Sequence, residues 1–106
     1  LNNMLYYVRY DVEGSSNYAL PLILKKNNKK MNEVCQILEE ERVEYRLGTA
    51  GGGNQARQPY LERYEHKVVG DLDVSNYIHD FGLYIGNHPD LTEEEIINLC
   101  KRLNDV

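Results

Sequence analysis

The residues best suited to chemistry are gathered between positions 44 and 60 of this 106-residue chain. Three consecutive glycines end at Gly53 and are followed by Asn54, Arg57 and Pro59. Glycine lets a ligand approach the main chain closely, and arginine offers a planar fork of donors that suits phosphate or carboxylate. The segment therefore either contacts an anionic ligand or is a surface loop with one solvated arginine. Surface loops of this composition are common, so the residue pattern alone favours the second interpretation.

Two phosphate-binding motifs are excluded for this segment. Gly51, Gly53 and Ala56 have the spacing of the dinucleotide fingerprint, but that motif requires a long helix to begin at its last position. Pro59 follows at once and does not permit such a helix. The Gly-Lys-Ser/Thr sequence of a P-loop is also absent here.

The histidines and cysteines do not form a pattern typical of catalysis or metal binding. His66, His79 and His88 have no Cys, Asp or Glu partner at metal-ligand spacing on one predicted element. Cys35 and Cys100 each fall on the apolar face of a predicted helix, which favours buried, reduced thiols over a disulfide. We therefore predict that this chain contains no catalytic residue and no metal site.

A second polar segment, from Gly86 through Asn87 and His88 to Pro89, joins a predicted strand to a predicted helix. Such a junction can direct backbone N–H groups towards a ligand. Glycine and proline also end strands and begin helices without any ligand. On the residues alone we prefer this structural interpretation.

Length and composition predict one small domain over residues 1–106. The apolar fraction of 42% is ordinary for a globular protein, and the net charge of −5 argues against nucleic-acid binding. Nine tyrosines against one phenylalanine favour half-wet surfaces such as interfaces or pocket walls, or simply a thin core. No segment is apolar enough to span a membrane and no signal peptide is visible, so we expect a cytoplasmic protein. Because the chain begins at Leu1, we expect it to be truncated, processed or cut from a longer protein.

The hydrophobic spacing predicts the order β-β-α-β-loop-α-β-α and hence an α/β fold of the α+β type. We expect a two-layer sandwich in which a small, mostly antiparallel or mixed sheet packs against about three helices. The predicted strands cover residues 6–12, 18–24, 43–47 and 83–85, and Pro21 demotes the second of them towards an edge strand or a bulge. Residues 25–30 are predicted to form a polar, basic connection with its turn at Asn27 and Asn28. The predicted helices cover residues 31–42, a short stretch to 80 capped by Asp73 or Ser75, and a last helix with the capping box of Thr92 and Glu95. Residues 58–64 are predicted to form one helical turn that begins at Pro59.

The chain resembles a known family over residues 17–106. The resemblance is carried by the tetrapeptide V-E-Y-R, by the loop at residues 53–59 and by the run S-N-Y-I-H-D-F-G-L-Y-I-G-N-H-P-D-L-T-E-E-E-I. These residues look like the C-terminal small domain of the DegT/DnrJ/EryC1/StrS family, fold-type-I enzymes that use pyridoxal phosphate (PLP) on nucleotide-linked keto-sugars. The loop resembles the branch that acts on CDP- or GDP-linked 4-keto-6-deoxyhexoses, as aminotransferases or 3-dehydratases in the synthesis of deoxysugars for lipopolysaccharide.

The resemblance implies that PLP, its anchoring residue and most phosphate contacts belong to a large domain that these residues do not include. The chain alone would then bind no cofactor and be inactive. By position, Arg57 and Arg46 would hold the diphosphate or sugar hydroxyls of the nucleotide-sugar. Asn54 would hydrogen-bond the sugar or order the loop, and His88 is a further candidate. The alternative is a free-standing, non-catalytic module that forms a homodimer or binds a partner through tyrosine-rich surfaces.

Overall fold

Three short strands form the centre of an α+β fold in the computed structural model, which describes residues 1–25, 28–48 and 53–106. The strands are β1 (Ala19–Ile23), β2 (Tyr45–Leu47) and β3 (Gly82–Gly86). β3 lies in the middle and pairs antiparallel with both neighbours. Pro21 therefore lies on an edge strand, as predicted, where its missing N–H costs little.

The described residues also form three α-helices and two 3₁₀ turns. The helices are α1 (Asn28–Glu40), α2 (Asp73–Phe81) and α3 (Glu93–Asn104). The 3₁₀ turns are Gln55–Arg57 and Pro59–Arg63, and Pro59 occupies the first turn of the second as predicted. The predicted sandwich of a small antiparallel sheet and three helices is confirmed.

The two faces of the sheet differ in what covers them. On the inner face, alternate strand residues pack against α1, α3 and the N-terminal segment. The buried core contains Tyr6, Leu22, Leu24, Met31, Val34, Leu38, Leu83, Ile85 and Leu103. On the outer face Pro21, Tyr84 and Arg46 stand side by side as partners in register. Pro21 and Arg46 are exposed and Tyr84 is half-buried, so this face remains open.

The predicted N-terminal strand is wrong beyond a single bridge. Tyr6 pairs with Leu24, and its buried hydroxyl donates to the carbonyl of Leu103 at 2.6 Å. Continuing the ladder towards Pro21 would need an N–H that proline lacks. The Pro21 carbonyl instead accepts a hydrogen bond from the Tyr10 hydroxyl at 2.8 Å. The alternating pattern therefore reflects one core tyrosine and half-buried neighbours, without a regular strand.

Helix α1 differs from its prediction at both ends. It begins at Asn28, so part of the predicted polar connection forms its first turn. It ends at Glu40, and Arg42 follows in the left-handed conformation with φ 58°. The predicted turn residue Asn27 lies outside the described residues. Such boundary shifts are common because polar end residues contribute little to hydrophobic periodicity.

Helix α2 begins at Asp73, one of the two predicted positions, but Asp73 is not its cap. Leu72 occupies the cap position with φ 59° and offers no side-chain acceptor. The Asp71 carboxylate accepts from the Asp73 N–H at 3.1 Å instead. Ser75, the other predicted cap, lies inside the helix.

The capping box of α3 is confirmed. The Glu95 N–H donates to Thr92 Oγ1 at 3.2 Å, and the Thr92 N–H donates to Glu95 Oε2 at 2.8 Å. Of the apolar residues of α3, Leu103 is buried whereas Ile96 remains 47% exposed. The first turn of α3 thus extends beyond the core.

Candidate functional site

Asn54 is a polar residue buried within the predicted binding loop, with only 6% of its surface exposed. Its side-chain Oδ1 accepts from the Ala56 N–H at 3.0 Å and caps the first 3₁₀ turn. Its Nδ2 donates to Asn76 Oδ1 at 2.9 Å, and its backbone N–H donates to His79 Nδ1 at 2.9 Å. The side-chain oxygen, the side-chain nitrogen and the backbone N–H of Asn54 are thus all hydrogen-bonded within the protein. These bonds match the predicted role of ordering the loop.

Gly53 lies where a larger residue would not fit. A Cβ atom built on Gly53 would stand 2.6 Å from the Gly48 carbonyl carbon and 2.8 Å from His79 Nδ1. Gly48 has φ 43°, and a Cβ there would meet His79 Nε2 at 3.1 Å. Gly48 and Gly53 therefore lie against each other and against the same imidazole ring, that of His79. The predicted positions Gly51 and Gly52 lie outside the described residues.

Gln58 forms a second connection between the two ends of the glycine segment. Its Nε2 donates to the Gly48 carbonyl at 3.0 Å and to the Asn54 carbonyl at 3.3 Å. We name the set of Gly48, Gly53, Asn54, Gln58 and His79 the loop cluster.

Arg57 lies between two residues of the loop cluster, Asn54 and Gln58, and is already paired. Its Nη1 lies 2.8 Å from Asp80 Oδ1, and the two side chains are 41% and 47% exposed. An exposed pair of this kind is weak, about 0–1 kcal/mol, so an anion could displace the carboxylate. An anion that binds at Nη1 of Arg57 would therefore compete with Asp80.

Arg46 and His88 meet at a different place, on the outer face of the sheet. They line an open cleft of about 210 Å³. The other lining side chains include Tyr18, Glu44, Tyr84 and Asn87. We call this site the sheet cleft.

The sheet cleft combines exposed aromatic surface with an arginine, Arg46, whose ion pair is weak. Arg46 Nη2 lies 3.3 Å from a Glu44 carboxylate that is itself 86% exposed, so water screens this pair strongly. Tyr18 is 88% exposed and offers a free aromatic face. Arginine and aromatic rings together suit a planar anionic ligand such as a nucleotide. Complete small-molecule sites usually enclose about 300–1,000 Å³, so this cleft has the size of part of a site.

The half-buried Cys35 thiol and the nearby Tyr45 hydroxyl are poor nucleophiles. Burial raises the pKa of the Cys35 thiol, which favours its neutral form. The Tyr45 hydroxyl donates to Glu39 Oε1 at 2.7 Å, and this hydrogen bond raises the pKa of Tyr45. Both cysteines are free. Within residues 1–25, 28–48 and 53–106, no group of three or more His, Cys, Asp or Glu side chains could hold a metal ion.

The structure thus divides the four predicted site residues into two pairs. Arg46 and His88 share the sheet cleft, whereas Asn54 and Arg57 belong to the turn beside α2. No pattern in the sequence predicted that His79 and Asp80, adjacent on α2, would both contact this turn. Side chains at neighbouring helix positions point about 100° apart. The turn contacts both because the Asn54 backbone reaches His79 and the long Arg57 side chain reaches Asp80.

Comparison with known proteins gives one distant relationship. The lipopolysaccharide biosynthesis protein RfbH of Salmonella typhimurium is 32% identical to this chain over 80 residues. That match covers 74% of this chain but 18% of the relative, so the chain spans less than a fifth of that protein's length. No family model matches the chain.

The helices of the described residues are too short and too polar to cross a membrane.

Proposed function

We propose that this chain is the C-terminal small domain of a PLP-dependent enzyme that acts on nucleotide-linked 4-keto-6-deoxy sugars in lipopolysaccharide biosynthesis. In this proposal the enzyme is an aminotransferase or a 3-dehydratase, and the chain alone is inactive. The observation that carries the proposal is the 32% sequence identity with a lipopolysaccharide biosynthesis protein over 74% of this chain. The DegT/DnrJ/EryC1/StrS pattern in the sequence supplies the finer assignment.

The size of the sheet cleft supports a shared site. A volume of about 210 Å³ is smaller than that of usual ligand pockets, and one side is open. A second domain placed over the outer face would enclose the ligand between them. Ligand sites between domains are common for this reason.

In this arrangement Arg46 and His88 contact the anionic part of the nucleotide-sugar. Arg57 adds a second contact when the ligand displaces Asp80, and Asn54 holds the turn from which Arg57 projects. The exposed Tyr18 ring is suited to stack on the planar base. Each contact uses a group that is solvent-exposed in the isolated chain, apart from Asn54.

The described residues do not fit a PLP site of their own. PLP is held as a Schiff base on a lysine, and the residues that line the sheet cleft include no lysine. Lys25 donates to the Asn3 carbonyl at 2.6 Å, and Lys30 donates to the Val106 carbonyl at 2.7 Å. We therefore assign PLP to a part of the parent enzyme beyond these residues, and the chain's own contribution is substrate binding.

An exchange of domains with the relative tests this proposal. The 80 matched residues of RfbH would be replaced by those of this chain in Salmonella that lacks its own copy. We expect the chimera to restore lipopolysaccharide, as seen on gels. Arg46→Ala in the chimera should reduce this restoration, while Arg63→Ala, an exposed arginine outside both candidate sites, should not. A chimera that accumulates as soluble protein but restores no lipopolysaccharide would contradict the proposal.

A homodimer is the second candidate function. The outer sheet face carries another open cleft, of about 280 Å³, whose lining is largely apolar and includes Pro21, Ile23, Ile78 and Tyr84. An apolar sheet face of this kind commonly packs against a protein partner. Light scattering would detect a dimer, and Ile23→Lys should dissociate it. A monomer at all concentrations tested would remove this candidate.

A further inference from the structure

Strand β3 carries a glycine at each end, and the fold uses the two glycines differently. A Cβ atom built on Gly82 would stand 2.5 Å from the carbonyl oxygen of Ile78, so the close approach of α2 requires glycine there. A Cβ atom built on Gly86 would have nothing within 4 Å. Packing within the chain therefore explains Gly82 but does not explain Gly86.

The backbone conformation does not require glycine at position 86 either. The described glycines with a positive φ are Gly14, Gly48 and Gly70, and Gly86 is not among them. Gly86 continues β3 in register opposite Ala19, where glycine weakens a strand because it has no side chain to pack. Glycine in a strand often marks a place where a ligand approaches the main chain closely. Gly86 lines the sheet cleft, so this explanation applies to it.

Gly86 forms part of the floor of the sheet cleft, beside its arginine. The buried residues of β3 alternate with Tyr84 and Gly86, which therefore share the outer face. Arg46 stands beside Tyr84 in register. Glu44, the ion-pair partner of Arg46, comes two positions further along that register, beside Gly86. The Arg46 cation is thus adjacent to an exposed piece of main chain that carries no side chain of its own.

We propose that Gly86 is a specificity-determining residue whose bare main chain seats the planar ring of a nucleotide, while Arg46 holds the diphosphate. This inference rests on the proposed function, because it concerns the ligand of the sheet cleft. Tyr18, which is 88% exposed, adjoins Ala19, the strand partner of Gly86, and can cover the other face of the ring. A side chain at position 86 would occupy the place of the ring. The cleft would then keep its anion site and lose its base site.

Two kinds of ligand separate the ring from the anion in the test. CDP and GDP carry a ring and a diphosphate, whereas inorganic pyrophosphate carries the anion alone. Chemical-shift titration of the nitrogen-15-labelled 106-residue chain by nuclear magnetic resonance measures the dissociation constant of each. We expect Gly86→Val to weaken the binding of CDP and GDP by at least about tenfold, the usual size of the effect of one misplaced carbon in a binding pocket. Gly86→Ala should weaken it less, and both variants should bind pyrophosphate as the native chain does.

Two controls exclude loss of folding and general loss of charge. Urea denaturation should show Gly86→Ala to be as stable as the native chain, because its added carbon meets nothing within 4 Å. Gly86→Val should also remain folded, since valine favours strands. Arg46→Ala should weaken the binding of all three ligands, whereas Arg63→Ala, an exposed arginine outside the cleft, should weaken none.

Three results would overturn the inference. Gly86→Val might bind CDP and GDP as tightly as the native chain, or lose pyrophosphate to the same degree as CDP and GDP. Absence of saturable binding of CDP and GDP to the native chain is the third. Failure of the domain assignment is distinguished by the chimera with RfbH, because restoration of lipopolysaccharide does not depend on the affinity of the isolated chain.

Discussion

The loop cluster and the sheet cleft each contain a residue predicted to contact a ligand, yet they use polar residues in opposite ways. In the loop cluster Asn54 is only 6% exposed and its side chain is hydrogen-bonded to Ala56 and Asn76, whereas the cleft residue Tyr18 is 88% exposed. Arg46 forms an ion pair with Glu44 that water screens. The first region has its hydrogen-bonding capacity filled by the fold, and the second retains capacity for a ligand.

This difference separates positioning from binding. Asn54 and Gly53 are residue types common in ligand-binding loops. The hydrogen bonds of Asn54, however, are made within the protein, to Ala56, Asn76 and His79. Arg57 is intermediate between a positioning residue and a binding residue, because its ion pair with Asp80 is exposed and therefore weak. Substitutions in the loop cluster should therefore change stability, and substitutions in the sheet cleft should change affinity.

The largest expected difference is between two glycines. Gly53→Ala should destabilise the chain by about 1–3 kcal/mol, because its Cβ would overlap the Gly48 backbone. Gly86→Ala in the sheet cleft should change stability by less than about 0.5 kcal/mol, since nothing lies within 4 Å of its Cβ. Urea denaturation of both variants makes this comparison. Equal effects would show that the loop cluster is not tightly packed.

Asn54→Ala should cost about 1–3 kcal/mol, because it leaves the partners of a buried amide without hydrogen bonds. Its matched control is Arg46→Ala, which should change stability by less than about 0.5 kcal/mol. The same urea transitions measure both. If Asn54→Ala were as stable as the native chain, Asn54 would not stabilise the fold, and its predicted role in binding the ligand would be favoured instead.

For affinity, Arg46→Ala should weaken the binding of CDP- or GDP-linked sugars by about tenfold, since a charge-assisted contact is worth about 1.5–3 kcal/mol before screening. Titration calorimetry would measure this effect, with Arg63→Ala as the control for general loss of positive charge. Equal weakening by both variants would indicate nonspecific attraction.

Asp80→Asn should have a smaller effect of opposite sign. It removes the competitor for Arg57 and should strengthen nucleotide-sugar binding about two- to threefold, with little change in stability. Weaker binding in this variant would mean that Asp80 positions Arg57 for the ligand. Titration calorimetry decides between the two roles.

The smallest effect concerns Glu95, in the capping box of α3 near the sheet cleft. Hydrogen bonds from the Thr92 backbone and hydroxyl lower the pKa of Glu95, and nearby His88 lowers it further. A carboxylate whose folded pKa is lowered adds stability above its unfolded pKa of about 4.3 and loses it as the pH falls through the folded pKa. The melting temperature of Glu95→Gln should therefore be below that of the native chain at neutral pH and converge with it in acid. A difference that persists in acid would instead indicate a packing role.

Local patterns predicted those elements that depend on neighbours in sequence. The capping box needs residues three apart, so Thr92 and Glu95 identified the start of α3 correctly. Pro21 likewise indicated an edge strand from the chemistry of its own backbone. The N-terminal strand was wrong because pairing there depends on whether a distant segment offers N–H groups, and Pro21 does not.

The sequence by itself determined the α+β class, the ends marked by proline and by the capping box, and a set of four candidate residues. Only the tertiary structure decided which of these turn inwards. Asn54 and Arg46 lie within nine positions of each other, and both belong to residue types that bind anionic ligands. Asn54 is hydrogen-bonded to Asn76 and His79, both more than 20 positions away, besides the nearby Ala56, whereas Arg46 is hydrogen-bonded to Glu44, two positions away. Because a polar group is free for a ligand only where the fold has not already satisfied it, long-range contacts decide which candidate can bind.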